Sequence, residues 1–237
     1  MITGLFKKII DQLPKFDITK SKKKTLLSDL DSLNINFNII FDIGAHIGEY
    51  TDIFKENFDF KKAYIFEPVP ELYEFLKKKY QLNKEIFTFN KLVGGENSSQ
   101  YFNVSTHLRS SSRKEINKKS LYFKIKKIFL GNFYKNKIKI DQIKLDNFIN
   151  EIESIDLLKI DVEGNELEVL KGCKNLLNKK VIKVIYIEIL NHSLYRDYSK
   201  KQIHNFLIRN KFKLLKTFRT NLLFAEDRLY VLEDLFN

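Results

Sequence analysis

Between residues 38 and 190, short apolar runs alternate with stretches in which apolar residues recur every three or four positions. "NIIFDI" at 38–43, "KAYIFEP" at 62–68, "EIFTFNKLV" at 85–93, "IDLLKIDV" at 155–162 and "VIKVIYIEIL" at 181–190 read as strands that are apolar on both faces. The intervening spacing predicts helices over 48–56, 70–80, 145–152 and 166–177. Near-continuous hydrophobic strands separated by helices form a parallel sheet covered on both sides, so the pattern predicts a doubly wound α/β fold. Near the C-terminus, "KFKLLKTFR" and "LYVLED" flank a short connection around "TNLLFAED", which suits an antiparallel hairpin closing the sheet edge. Residues 2–12 and 22–33 have helical spacing on either side of Pro14 and "TKSKKK", which predicts an N-terminal helical cap over 1–36. With no internal repeat and no Pro/Gly/Ser-rich linker, a single domain is expected over 1–237, with an irregular excursion from the sheet over 94–137.

Composition narrows the function classes. No stretch approaches the roughly 18–20 uninterrupted apolar residues of a membrane-spanning helix. The N-terminal run "MITGLFKKIIDQLPKF" is broken by Lys7, Lys8 and Asp11 and lacks an A-x-A site, so the chain reads as cytoplasmic. Cys173 is the sole cysteine, and beside Gly172 at a helix end it reads as a packing residue. The net charge of +12 would admit an anionic partner, although the Lys, Ile, Asn and Phe bias also fits an AT-rich coding sequence. The excess is concentrated: Arg109, Arg113 and nine lysines from Lys114 to Lys139 face one acid, Glu115.

In an open parallel sheet, ligands bind beyond the carboxyl ends of the strands where strand order reverses. The first strand delivers Asp42, Gly44, Ala45, His46 and Gly48 to that edge, and the glycines permit a sharp turn into the next helix. The second ends in Glu67, spaced from the turn as an acid that accepts both hydroxyls of a ribose would be. Turn and acid together favour a nucleoside site over a tight turn beside a capping acid. The spacing is G-x-x-x-G, not G-x-G-x-x-G, and no phosphate-cradling G-x-x-x-x-G-K-[ST] occurs, which disfavours a dinucleotide or a triphosphate.

"FDIGAHIGEYT", "IFEPVPELYEFLKK", "IKLDNFI" and above all "DLLKIDVEGNELEVLKG" followed by "IYIEI" resemble, in order, the signature of the FkbM-type S-adenosylmethionine-dependent methyltransferases, over residues 38–232. The resemblance implies a seven-stranded, mostly parallel, Rossmann-like class I methyltransferase sheet and S-adenosyl-L-methionine as cofactor. It implies that Asp42, Gly44, Ala45, His46 and Gly48 wrap the methionine part, with Tyr50 and Thr51 in the adjoining helix. Glu67 would hold the ribose, and Asn90, Lys91 and Leu92 would neighbour the adenine. It further implies O-methylation of a small-molecule or glycan hydroxyl, with sugars and polysaccharide precursors prominent among the substrates.

Methyl transfer from a sulfonium is an in-line displacement, which needs an aligned acceptor oxygen and a group to remove its proton. Asp161 and Glu163, leaving the fourth strand, and His192, just past the fifth, are the candidate bases, while Glu166 reads as a helix-capping acid. Glu188, an acid inside a hydrophobic strand, is expected to face the site or bind a backbone group. A metal held by Asp161, Glu188 and His192 is not demanded by the spacing. "STHLRSSSR" at 105–113 matches a serine pair near the family's active site, which would put Ser111 and Ser112 over the acceptor with His107 and Arg109 nearby. A hydroxyl-rich loop reads equally well. For "LYFKIKKIFLGNFYKNK" three readings stay open: a lid over an anionic, nucleotide- or phosphate-linked sugar, a basic face for peripheral membrane contact, or a solvated surface. The expected activity is thus a sugar O-methyltransferase. Its alternatives are an RNA methyltransferase, disfavoured because the chain shows no appended nucleic-acid module, and a cofactor-binding subunit without catalysis.

Overall fold

The computed structural model describes residues 20–105, 111–114, 117–120, 123–124, 134–148, 150–191, 195–221 and 225–236. Helix α1 (Lys20–Asp31) precedes β1 (Ile39–Ile43), α2 (Glu49–Asn57), β2 (Lys62–Phe66), α3 (Pro70–Lys79) and β3 (Ile86–Phe89). After β4 (Leu92–Val93), β5 (Ser98–Ser105) and β6 (Tyr134–Ile143), a 3₁₀ turn (Leu145–Phe148) leads into β7 (Ile155–Ile160). Helices α4 (Glu166–Lys171) and α5 (Lys174–Asn178), β8 (Ile182–Leu190), α6 (Lys200–Arg209), β9 (Phe212–Asn221) and β10 (Ala225–Leu232) complete the order. The main sheet runs β3-β2-β1-β7-β8-β10-β9. Its first five strands pair in parallel, and β9 and β10 form the antiparallel hairpin that the sequence predicts.

The unbroken apolar runs exist because this sheet is buried on both faces. Successive side chains point to opposite faces of a strand. Accordingly Phe41, Leu158, Ile185 and Tyr230 enter one core cluster, whereas Ile40, Leu157, Val184 and Leu229 enter the other. Leu26 and Leu30 of α1 are buried in the second cluster. Among the described residues no helix is long and apolar enough to cross a membrane.

Several elements differ from the sequence reading for identifiable reasons. The run at 85–93 is two strands, because β4 leaves the main sheet to pair with β6 while Asn90 Nδ2 donates to the carbonyls of Glu67 and Pro68. Where the sequence reading places a helix over 145–152, Leu145–Phe148 form a 3₁₀ turn. Its Asp146 carboxylate accepts the backbone N–H groups of Asn175 and Leu176 at 3.0–3.1 Å, so the turn serves as a cap for α5. The helix predicted over 166–177 is broken at Gly172, where a Cβ would lie 2.1 Å from the Gly94 carbonyl oxygen. Cys173 is fully buried there, and burial pushes its thiol up, as a packing role requires. Helix α6 went unread, although Ser199 accepting from Gln202 N–H is the S-x-x-Q start signal. The described parts of 94–137 are ordered as a second, three-stranded sheet, β4-β6-β5, with Phe102, Val104 and Ile140 buried beneath it.

Asp156 clamps the amino ends of three adjacent strands. Its Oδ2 accepts the N–H groups of Asn38 and Ile39 at 2.8 Å, and its Oδ1 accepts from Lys183 Nζ at 2.6 Å. Removing a fully buried acceptor strands these donors, so Asp156→Ala should lower unfolding stability by about 2–4 kcal/mol in a denaturant titration, and Asp156→Asn by less.

Candidate active site

The turn after β1 is built from backbone contacts that exclude side chains. Gly44 and Ala45 donate their N–H groups to the Phe66 carbonyl at 2.9 and 3.0 Å. Gly44 has φ +78°, and a Cβ there would lie 1.9 Å from the Asp161 carbonyl oxygen, so the first and fourth parallel strands meet at this turn only through glycine. Gly48 is required for a different reason: a Cβ would come within 2.3 Å of the Tyr80 hydroxyl, which itself bonds the Gly48 carbonyl at 3.0 Å.

Glu67 closes the turn from the second strand. One carboxyl oxygen accepts from His46 N–H at 2.8 Å and the other from Val69 N–H at 2.9 Å. It is 4% exposed, and burial pushes its carboxyl up to about 7 against the pull of those two donors. Each oxygen has a further lone pair, so a ribose can still be received on a carboxylate already fixed by the backbone.

Beneath the turn lies a cation that the sequence reading passed over. Lys159 of β7 is the register partner of Asp42 on β1 and of Tyr186 on β8. Its Nζ pairs with Asp42 Oδ1 at 2.9 Å and donates to the Gly44 carbonyl at 2.8 Å, and Asp161 Oδ2 lies at 3.7 Å. Thr51 Oγ1 donates to the other Asp42 oxygen at 2.7 Å. Burial alone would push the Lys159 ammonium down, but the Asp42 and Asp161 carboxylates outweigh it and hold it above the ordinary lysine value. The available signal was a lysine inside the otherwise apolar "DLLKI", which must be paired if buried. On the same face, Lys159 lies 5.3 Å from the centre of the Tyr50 ring. The Tyr50 hydroxyl meets that of Tyr186 at 3.1 Å, Tyr186 donates to Asp227 at 2.6 Å, and Lys22 of α1 pairs with Asp227.

An open cavity of about 150 Å³ occupies the carboxyl edge of β1, β2, β7 and β8. Of the residues singled out from sequence, Gly44, His46, Glu67, Leu92, Ser111, Asp161, Glu163 and Glu188 line it, as does Lys91. Asp42, Ala45, Gly48, Tyr50, Thr51 and Asn90 stand behind it as supports, and Ser112 Oγ donates to the Glu163 carbonyl at 2.7 Å. His107, Arg109 and His192 lie outside the described residues. β7 ends at Ile160 and Glu163 takes φ +51°, so Asp161 and Glu163 reach the cavity from a turn instead of an extended strand. Glu166 is fully buried and accepts Gly164 N–H at 2.9 Å at the start of α4, in keeping with a capping acid. Burial, then the Asp161 and Glu163 carboxylates, push Glu188 well above the ordinary carboxylate range. Arg113, Asn165, Val93 and Phe102 also line the cavity, and the sequence reading did not assign them to a site.

These residues fit a sulfonium nucleoside. A wall of carboxyl groups suits a cationic ligand, and the left-handed turn at Gly44 bares backbone to it. A model of the FkbM methyltransferase domain matches residues 42–214. The fold is similar to the crystal structure of methyltransferase FkbM from Methylobacillus flagellatus KT (17% identity, TM-score 0.53, 83% of this chain and 43% of that one). It is likewise similar to an S-adenosylmethionine-dependent methyltransferase from Clostridium acetobutylicum (11% identity, TM-score 0.52, 98% and 99%). The chain thus spans less than half the length of the Methylobacillus protein. No curated protein sequence matches.

Removing one member of a buried ion pair leaves an uncompensated charge, so Lys159→Met should cost about 3–5 kcal/mol in thermal or denaturant unfolding. The double variant Asp42→Asn with Lys159→Met should recover much of that loss. A second expectation concerns pH. Burial raises both Glu67 and Glu166 from the ordinary 4.5 to about 7, so the folded chain holds more protons than the unfolded one between these values. Stability should therefore fall as pH rises through that window and level off above it, and Glu67→Gln or Glu166→Gln should each flatten the fall in denaturant titrations from about pH 5 to 8.

Proposed function

The chain belongs to the FkbM family of S-adenosylmethionine-dependent methyltransferases, and from that premise we propose that it methylates a hydroxyl of a sugar or polysaccharide precursor in the cytoplasm. The observation that carries this reading is the meeting of Asp161, Glu163 and Glu188 in one cavity beside the β1 turn. When bound, the cofactor supplies an electrophilic methyl group on a sulfonium. The part left to the protein is to align an acceptor oxygen and to take its proton.

Asp161 is the proposed base. It is about one-third exposed at the cavity, where a hydroxyl can reach it, and Lys159 faces its Oδ2 from behind. Glu163 and Glu188 flank it and bind the acceptor's hydroxyls, with Glu188 held toward its protonated form as a donor. His192 is retained as a second candidate base. Asp42, Gly44, Ala45, His46, Gly48, Tyr50, Thr51, Glu67, Asn90 and Leu92 form the proposed cofactor site and its supports. Residues 1–237 serve as one methyltransferase domain in this reading, with 1–36 as a cap and 94–137 covering the acceptor. Ser111 and Ser112 there, with His107 and Arg109, belong to the acceptor side.

Calorimetry with S-adenosylmethionine and S-adenosylhomocysteine, followed by a methyl-transfer screen against nucleotide-activated sugars and RNA, tests the proposal. Both nucleosides should bind, and a sugar should accept the methyl. Asp161→Asn should reduce kcat by about 10²–10⁴-fold while leaving S-adenosylhomocysteine affinity within about threefold. Binding of neither nucleoside, or transfer to RNA alone, would sink it.

A further inference from the structure

The cavity has two chemically opposite walls. The ends of β7 and β8 line one with Asp161, Glu163 and Glu188, whereas the segment leaving β3 and the strip beside the small sheet bring Lys91 and Arg113 to the other. Three contacts fix that strip. Asn103 of β5 and Ser112 exchange both backbone hydrogen bonds at 3.0 and 3.1 Å, and Ser112 Oγ reaches the Glu163 carbonyl. Arg113 Nη1 donates to Gln142 Oε1 at 2.9 Å.

Gln142 makes this a built arrangement. It is 1% exposed on β6, its Nε2 donates to the Glu96 carbonyl at 3.0 Å, and a Cβ on Gly94 would come within 2.6 Å of its amide group. A neutral buried amide therefore aims the guanidinium without discharging it. Glu96 lies 3.8 Å from Nη2 and is 60% exposed, so solvent screens it. Lys91 is similarly paired with the exposed Asp141. A guanidinium has five donors in a planar fork that matches an oxyanion two at a time. Asn165 lines the same cavity but is 3% exposed, and its Oδ1, without a hydrogen-bond partner among the described residues, is itself shielded from the open space.

We propose that Arg113 binds a phosphate group of the acceptor. This rests on the methyltransferase reading above and names the part of the acceptor that the small sheet recognises. Because Ser112 joins the strip to the Glu163 carbonyl, a phosphate held at Arg113 sets the register of the hydroxyl against the carboxyl wall. The acceptor is then a sugar carrying a phosphate or diphosphate ester. The other anion that could reach Arg113 is the cofactor's own carboxylate.

The experiment titrates protein saturated with S-adenosylhomocysteine with inorganic pyrophosphate and with uridine diphosphate, by calorimetry. Arg113→Gln should weaken both by about tenfold or more, and Arg113→Lys, which keeps the charge but not the fork, by less. Lys84→Gln, the same charge change at an exposed position before β3 and outside the acceptor segment, should leave both within about twofold. S-adenosylhomocysteine affinity and melting temperature should hold in all three variants. Equal weakening by Arg113→Gln and Lys84→Gln overturns the proposal in favour of diffuse attraction to a basic surface, and no pyrophosphate binding by the native chain overturns it outright. Loss of S-adenosylhomocysteine affinity in Arg113→Gln overturns it in favour of the cofactor's carboxylate. Failure of the native chain to bind S-adenosylhomocysteine overturns instead the function on which it rests.

Discussion

One buried ammonium organises the catalytic edge. A charge as deep as that of Lys159 is tolerable only when its partners are fixed, and each partner belongs to a different piece of the site: the Asp42 carboxylate to β1, the Gly44 carbonyl to the turn, and Asp161 to the end of β7. Moving any of these pieces would break an interaction in a medium where breaking it is costly. The turn and Asp161, the proposed base, are therefore held to one another by electrostatics as well as by the parallel pairing of β1 with β7. Glu67 repeats the device on the other side, where a carboxylate grips two backbone N–H groups and stiffens the chain between His46 and Val69.

Much of the main sheet was legible because burial on both faces writes itself as unbroken apolar runs, and every parallel strand came from such a run. Helix ends and breaks were less so. The interruption at Gly172 depends on Gly94, 78 residues earlier in the chain (172 − 94), and no local pattern records so distant an approach. The small sheet was missed because its strands are half exposed and lysine-rich, with a weak alternation at Phe102, Val104 and Ile140 that charge obscures.

The site was legible in a particular way. Residues that reach the cavity by ending a strand, such as Asp161 and Glu67, follow from the architecture once the strands are placed. Motif positions such as Thr51 and Asp42 proved to be supports, since spacing identifies a neighbourhood without saying which side chains turn inward. Arg113 was counted with a basic run, and what distinguishes it is Gln142, a contact across 29 residues that composition cannot register.

The small sheet is joined to the rest by a clasp: Leu92 and Val93 pair in parallel with Gln142 and Ile143, so the chain enters and leaves it through adjacent, hydrogen-bonded residues. The two ends of the segment that carries the small sheet are thus already closed. The entropic cost of a loop closed in this way grows only with the logarithm of its length. Residues can therefore be added to or removed from its far side with little effect on the turn, on Lys159 or on Glu67. The segment proposed to meet the acceptor is thereby free to diverge at a rate of its own, while the part proposed to hold the methyl donor is not.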